Sequence, residues 1–488
     1  MIEETRKIRY RLPIRIIKYS NGILNAESLL KSHDDQATFV DPEYITIEKE
    51  GYVILDFGEE IAGGIRLITS NDLGSSHCNA HIRFGESVSE TSINVGEKGA
   101  TNDHSVRDLN VILPRFSDQS YGDTGFRFVR IDFSCPAKFT IKNIFAKEWY
   151  RDLKTLKEFS CQDQLVNEIF QVAKRTVTLN VQSRIWDGVK RDRLVWIGDM
   201  EPEVHALLYL YGNIPAIEQS LFTAEIGYPL PRWLNDMPTY SIWYLLIIYD
   251  IYAYSHDKDF LSRHIEYVSG VVKQFNACLD DDGNLDEINK LDIPVSMPYF
   301  IDWPTEAEPE EYKKSASIDL LKYTMSKIKE MLLDYGASCE VIDCINSKLS
   351  KAKTLLQYRK QLAAFHYLVN KDDESYNVLI KDNAKGMSTF MSYYILTAIA
   401  DRDLNKAIEI MKEYYGGMLS RGATSFWEDF DVEWLNGSSR IDEFPKEGEK
   451  DLHGDYGKYC YVGFRHSLCH GWSCGPVSFL IENEGKIK

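Results

Sequence analysis

The hydrophobic period of this chain changes once, near residue 155, and that change limits what it can fold into. Before it, apolar, β-branched and aromatic residues alternate in short runs: YITIEKEGYVILDF (44–57), GIRLITS (64–70), NAHIRFGE (79–86) and FRFVRIDF (126–133), punctuated by Gly, Asn, Asp and Ser. A period of two sends successive side chains to opposite faces of a strand. Several short strands with turn signals and little helix predict a β-sandwich over residues 1–155. The segment RDLKTLKEFSCQDQL (151–165) reads as the passage out of it.

From about residue 160 the pattern is helical. CQDQLVNEIFQVAKRTVTLNVQ (161–182) places apolar residues at 165, 166, 169, 170, 172 and 173, behind Asp163 as an N-cap. Further helical stretches run over 204–212, 241–255, 261–279, 317–336, 388–400, 404–417 and 477–484. About a dozen helices with their loops fit residues 156–488. None repeats another at a fixed period. The connecting loops are unequal and rich in Trp, Gly, Pro and Asp, which does not suit a solenoid. A ring of helix pairs with those loops gathered at one end fits better. The expected fold class is mainly α with a β-domain.

Charge and composition narrow the partners. The 488 residues carry a formal net charge of −18, a field that repels a polyanion, so nucleic acid is not an expected partner. No run of 18 apolar residues occurs, so no membrane partner is expected. The opening MIEETRKIRYRLPIRI shows no signal-peptide core, and the expected location is cytoplasmic. The nine cysteines are odd in number and irregularly spaced, which predicts reduced thiols rather than a disulfide framework. Twenty-nine Tyr and nine Trp suit a cleft that stacks on sugars.

The chemistry concentrates in four acid- and Trp-bearing stretches. In WDGVKRDRLVWIGDMEPE (186–203), Asp187, Asp192 and Asp199 lie five and seven residues apart. On one straight helix those steps rotate by about 140° and 340°, so the three share no face. Gly188 and Gly198 also interrupt a helix. The stretch therefore reads as a loop, with Asp199 capping a helix from about residue 200 and Pro202, Glu201 and Glu203 in its first turn. Trp186 and Trp196 flank these acids, and Arg191 and Arg193 bracket Asp192. An aromatic face raises a carboxyl pKa by desolvation and an arginine lowers it. GATSFWEDFDVEWLNG (422–437) sets Glu428, Asp429, Asp431 and Glu433 among Trp427, Phe430 and Trp434. MPYFIDWPTEAEP (297–309) holds Asp302 beside Trp303. HSLCHGWSCGP (466–476) contains His466, Cys469, His470 and Cys474, in an order that matches no common zinc module. No metal is expected there, nor calcium in the acidic 428–433 run. Read alone, each stretch also fits a solvated charged loop. Together, acids beside Trp on separate loops are what glycoside hydrolysis needs: one carboxylic acid protonates the leaving oxygen and a second carboxylate activates water or attacks. The chain has no G-x-G-x-x-G, P-loop or H-E-x-x-H, and no cofactor is expected.

These residues resemble the bacterial α-L-rhamnosidases of glycoside hydrolase family 78. That family's Asp, then Arg-Glu, then Trp-x-Gly-Asp is similar to Asp187, Arg191-Asp192 and Trp196-Ile197-Gly198-Asp199. Its Thr-Ser-x-Trp-Glu resembles Thr424 to Glu428, its Gly-Asp-Trp loop resembles Ile301-Asp302-Trp303, and its Ser-Leu-x-His resembles Ser467 to His470. AHIRFGES (80–87) and TGFRFVRID (124–132) resemble the sandwich that precedes its barrel.

The resemblance implies an (α/α)6 barrel after an N-terminal β-sandwich. It implies an inverting exo-hydrolase that takes a small carbohydrate with terminal α-L-rhamnose. Asp192 then stands as general acid and Glu428 as general base, with carboxyls about 6.5–9.5 Å apart. Asp187 and Asp199 hold sugar hydroxyls, Trp196, Trp303 and Trp427 form an apolar wall, and Arg191, Asp302 and His470 complete the pocket. The chain departs from the family in two ways. Asp192 stands where the family has Glu, one methylene longer. The sequence also ends soon after the last helical stretch, so no C-terminal β-sandwich is expected. Two alternatives stay open: another sugar such as a uronic acid, met by Arg191, Arg193 or Arg232, or a non-catalytic saccharide binder. A homodimer is compatible with the sequence.

Overall fold

The structure, a computed structural model, describes residues 4–34, 36–39, 41–70, 74–286, 288 and 292–487. Among the described residues nine strands precede the α-helices: β1 (Lys7–Arg11), β2 (Arg15–Tyr19), β3 (Ile23–Leu24), β4 (Ile45–Ile47), β5 (Glu50–Thr69), β6 (His77–Gly85), β7 (Asp108–Pro114), β8 (Asp118–Ser134) and β9 (Phe139–Tyr150). All their pairings are antiparallel. β5 and β8 are long enough to serve two leaves. The first part of β5, up to Asp56, pairs with β2 and with the end of β8, which also pairs with β6. After a register shift between Asp56 and Ile61, β5 pairs with the start of β8 and with β9. Such irregularities bend a strand and let it pass from one leaf to the other. Val53, Leu55, Ile65, Leu67, Ile82, Val129, Ile131, Ile141 and Ile144 meet in one core between the leaves. The expected β-sandwich is thus one hydrogen-bonded sheet folded over on itself.

One sequence expectation fails in this domain. Cys78 and Cys135 form a disulfide. The β6–β8 register pairs Asn79 with Ser134, which brings the next residues, Cys78 and Cys135, opposite one another. Cysteine spacing alone could not show that long-range register. The other seven cysteines form no disulfide.

Twelve α-helices follow among the described residues: α1 (Gln164–Asn180), α2 (Ile197–Tyr211), α3 (Pro215–Gly227), α4 (Pro238–Ser255), α5 (Lys258–Cys278), α6 (Glu310–Tyr335), α7 (Glu340–Leu349), α8 (Lys360–Asn370), α9 (Asp373–Ile380), α10 (Ser392–Ala400), α11 (Leu404–Ser420) and α12 (Gly475–Glu482). Each even-numbered helix packs on the next, and α12 returns to α2, which closes a six-membered inner ring. The odd-numbered helices pack outside it, giving an (α/α)6 barrel. Their sequences reflect the two positions. The outer helix α1 buries one face, including Val166, Ile169, Phe170, Ala173 and Val177. The inner helix α4 is apolar on all sides, because neighbours surround it. Asp163 caps α1, as its sequence predicts, by accepting from Leu165 and Val166 N–H.

α2 begins earlier than expected, at Ile197. Asn235 Oδ1, from another loop, accepts from Ile197 N–H at 3.0 Å and does the work of a cap. Asp199 is therefore not the N-cap but a first-turn residue, and Pro202 falls in the second turn. The short helices α3, α7, α8 and α9 had no clear sequence signal. No described helix is long and apolar enough to cross a membrane.

A stack of rings fills the barrel axis. Trp243 of α4 reaches Phe365 of α8, Phe390, and Tyr394 of α10, with ring centroids 5.5–5.6 Å apart. Phe390 continues the stack to Trp472 at 5.3 Å. This plug separates the loops at the N-terminal ends of the inner helices from the other mouth. Trp243→Ala should cost about 3–5 kcal/mol of unfolding free energy. Denaturant melts that coincide with the wild type would contradict this role for Trp243.

Candidate active site

Loops that lead into the inner helices α2, α4, α6 and α12 enclose a cavity of about 220 Å³. Asp187, Asp192, Trp196 and Asp199 come from the α1–α2 connection and the first turn of α2. Tyr240 comes from α4, Trp303 from the α5–α6 loop, and Glu428, Tyr461, His470 and Trp472 from the α11–α12 loop. Backbone bonds tie these segments together. Gly188 and His470 form an antiparallel bridge, Gly471 N–H donates to Asp187 O at 2.7 Å, and Glu428 N–H donates to Ser467 O at 3.0 Å.

Arg191 organises the carboxylates. Its Nη2 donates to Glu428 Oε1 in a very short bond, and its Nη1 donates to Asp192 Oδ2 at 3.0 Å. One guanidinium thus joins the two expected catalytic carboxyls. Arg191 is itself fixed: Nε donates to Arg465 O at 2.8 Å, and the guanidinium carbon sits 3.9 Å over the Tyr461 ring. Glu428 also accepts from Ser467 N–H at 3.0 Å and from the Cys460 thiol at 3.1 Å. Burial pushes its pKa up, but the charge of Arg191 overrides burial and holds the carboxyl far below its usual range. Glu428 is therefore ionised at neutral pH.

Asp192 is the more accessible of the pair, with 17 % of its side chain exposed against 2 % for Glu428. Asp192 and Arg193 both have left-handed backbones, φ 55° and 57°, a conformation that costs energy outside glycine and concentrates at functional sites. Asp192 Oδ1 lies 3.2 Å from Nδ1 of His104, which belongs to the β-domain.

Deeper in the cavity the charge state reverses. Burial, reinforced by Asp199 and Asp192, pushes Asp187 well above the carboxylate range. Burial pushes Asp199 up to about 8, against the hydrogen bond it accepts from Tyr240 OH at 2.7 Å. Beneath both, buried Glu203 is also pushed well up, and neither of its carboxyl oxygens has a hydrogen-bond partner. Burial lowers His470 to about 3, so it is neutral, with Nε2 3.8 Å from Asp187 Oδ2 and 3.9 Å from Asp199 Oδ2. Gly198 makes this packing possible, since a Cβ there would stand 2.3 Å from the Tyr240 ring. Asp187, Asp199 and His470 are close enough to share a cation. With both acids protonated, they are equally a set of donors and acceptors for sugar hydroxyls.

Not every expected site residue faces the cavity. Asp187, Asp192, Trp196, Asp199, Trp303, Glu428 and His470 line it, and Arg191 lies directly behind. Asp302 is buried behind the wall, where it accepts from Ser388 OH and burial raises it to about 7. Trp427 does not sit where a sugar-facing wall requires: it is buried against Phe430, with ring centroids 5.5 Å apart. Along an extended loop neighbouring side chains point to opposite sides, so with Glu428 inward Trp427 turns into the core. Trp472 takes the wall position. Its ring lies 4.0 Å from His470, and its Nε1–H donates to Glu428 O at 3.0 Å. Tyr240, Cys460, Tyr461 and His104 carried no motif signal. His466, Cys469, His470 and Cys474 do not converge: Cys469 packs with Ala62, Leu179 and Val189, while the Cys474 thiol meets Pro202 O. The run GWSCG (471–475) has the spelling of a nucleophile elbow, but no strand precedes it, and Ser473 is buried and donates to Trp427 O at 2.5 Å.

The raised carboxyls set a pH dependence. Asp199 keeps its proton in the fold up to about pH 8, while an unfolded aspartate loses it near 4. The native state therefore binds one more proton between these values, and stability falls as pH rises through that window. Asp199→Asn should remove about 1.4 kcal/mol per pH unit of that slope between pH 5 and 7. Urea melts at three pH values measure it, and parallel wild-type and variant slopes would contradict the protonated state.

Residues 154–324 match the family model of the bacterial alpha-L-rhamnosidase 6 hairpin glycosidase domain. No curated protein sequence matches the chain significantly. The fold is similar to that of a rhamnosidase from Klebsiella oxytoca with rhamnose bound, with a TM-score of 0.75 at 17 % identity over 98 % of this chain and 96 % of that one. A family GH78 rhamnosidase of Bacillus sp. GL1 gives 0.68 at 17 % identity over 89 % and 46 %. The Streptomyces avermitilis α-L-rhamnosidase complexed with L-rhamnose gives 0.62 at 13 % identity over 98 % and 44 %. The chain thus spans nearly all of the first and about half of the other two. The helical barrel behind the β-sandwich therefore has the fold of these rhamnosidases, and its residues 154–324 match the six-hairpin glycosidase domain of the bacterial alpha-L-rhamnosidases.

Proposed function

We propose that this chain is an inverting exo-glycoside hydrolase that releases terminal α-L-rhamnose, or a similar deoxyhexose, from small glycosides. The observation that carries the reading is the Arg191 fork, which sets a deeply buried, ionised Glu428 and a more exposed Asp192 on one cavity. Glu428 takes the proton of the attacking water, and Asp192 protonates the departing oxygen at the mouth. His104, at 3.2 Å, is placed to return a proton to Asp192 between turnovers. Asp187, Asp199 and His470 hold ring hydroxyls, while Trp196, Trp303 and Trp472 face the apolar side of the sugar. At about 220 Å³ the cavity is smaller than most ligand pockets, which span ~300–1,000 Å³, and suits one ring rather than a chain.

One feature favours a second reading, a saccharide binder without turnover. Both Asp192 oxygens are already engaged, one by Arg191 and the other by His104, and its side chain is one methylene shorter than glutamate. Turnover of p-nitrophenyl α-L-rhamnoside separates the two. Asp192→Asn and Glu428→Gln should each lower kcat by ~10²–10⁴. Full activity in both variants would overturn the assignment. Calorimetric rhamnose binding with no hydrolysis across a glycoside panel would favour the binder.

A further inference from the structure

On the other side of the Trp243 plug, the inner helices enclose a second cavity of about 480 Å³. Glu201 and His205 stand one turn apart on α2 and so share a face. Asp250 of α4 faces them, and one donor atom from each of the three lies within 4.8 Å of the others. Glu201 is only 1 % exposed; its Oε1 accepts from Tyr394 OH, and its Oε2 has no hydrogen-bond partner. His205 Nε2 lies 3.0 Å from Glu482 Oε1 on α12, while its Nδ1 is buried without a partner. Tyr209 OH and Tyr393 OH fix Glu482 in turn, donating at 3.0 and 2.9 Å. A carboxylate on one imidazole nitrogen sets the tautomer and frees the other lone pair, as around metal-bound histidines.

We propose that Glu201, His205 and Asp250 bind one divalent transition-metal ion, of the zinc or manganese class, whose remaining ligands are water from the cavity. An imidazole nitrogen with two carboxylates suits such ions better than calcium or magnesium. Charge supports the assignment. With neutral His205, the carboxylates of Glu201, Asp250 and Glu482 face the single ammonium of Lys327, leaving two negative charges that a divalent ion cancels. The ion would clasp α2 to α4 and, through Glu482, to α12, at the mouth opposite the catalytic loops.

The test is titration of the metal-free full-length protein with Zn2+ alone by calorimetry, with elemental analysis of the dialysed product. One equivalent should bind and raise Tm. His205→Ala should abolish uptake. Glu482→Gln, which leaves all three ligands in place, should weaken it ~10–100-fold. His470→Ala should leave it intact, which separates this site from the catalytic cavity. Circular dichroism checks that each variant is folded, and the Glu482→Gln result stands if His205→Ala is not. Absence of Zn2+ uptake by the wild type, or uptake unchanged in His205→Ala or Glu482→Gln, would overturn the proposal.

Discussion

The site depends on one buried guanidinium. Arg191 joins Glu428 to Asp192, hangs from the carbonyl of Arg465 and stacks on Tyr461. Glu428 is buried, and a buried carboxylate that loses its partner costs about 3–5 kcal/mol. The ion pair therefore positions Glu428, keeps it ionised, and ties the α1–α2 loop to the α11–α12 loop. The raised acids deeper in the pocket follow from the same charge distribution. Glu428 takes the cation, so Asp187 and Asp199 are left to burial and to the negative charge nearby, and they retain protons.

The β-domain holds this arrangement from outside the barrel. Next to Arg191 in sequence, Lys190 turns the other way and donates to His466 O at 2.9 Å, with Glu90 at 3.0 Å and Glu86 at 3.2 Å. Glu86 also accepts from Leu468 N–H at 2.7 Å and Ser467 Oγ–H at 2.9 Å. Ser467 N–H is a donor to Glu428. Two adjacent basic residues thus serve two tasks, one fixing the loop to the sandwich and the other fixing the carboxylates to the loop. His104 extends the sandwich to the rim, beside Asp192.

How much of this the sequence revealed depends on whether the signal was local. The change of period near residue 155 announced both layers, and the long amphipathic or fully apolar helices α1, α4, α5, α6 and α11 could be read directly. The short helices α3, α7, α8 and α9 and the strands β1 and β7 could not, because their patterns are brief, and β9 could not, because it is buried along nearly its whole length and so shows no alternation. Cys78–Cys135 depends on strand register across 57 residues, which spacing does not encode. In the pocket, acids within motifs were legible. Tyr240, Tyr461, Cys460 and Trp472 were not, since each joins the site through a contact made by folding. Trp427 shows the opposite error. Adjacency to Glu428 suggested a wall residue, but along an extended loop adjacency means the opposite side.

The central claim is that Glu428 activates water across the sugar from Asp192. The anomer formed first from an α-L-rhamnoside, followed by proton NMR before mutarotation, tests it most directly. Inversion predicts that β-L-rhamnose appears first and the α-anomer grows only as the two equilibrate. Initial release of α-L-rhamnose would mean that a carboxylate attacks the sugar itself, and would contradict the account.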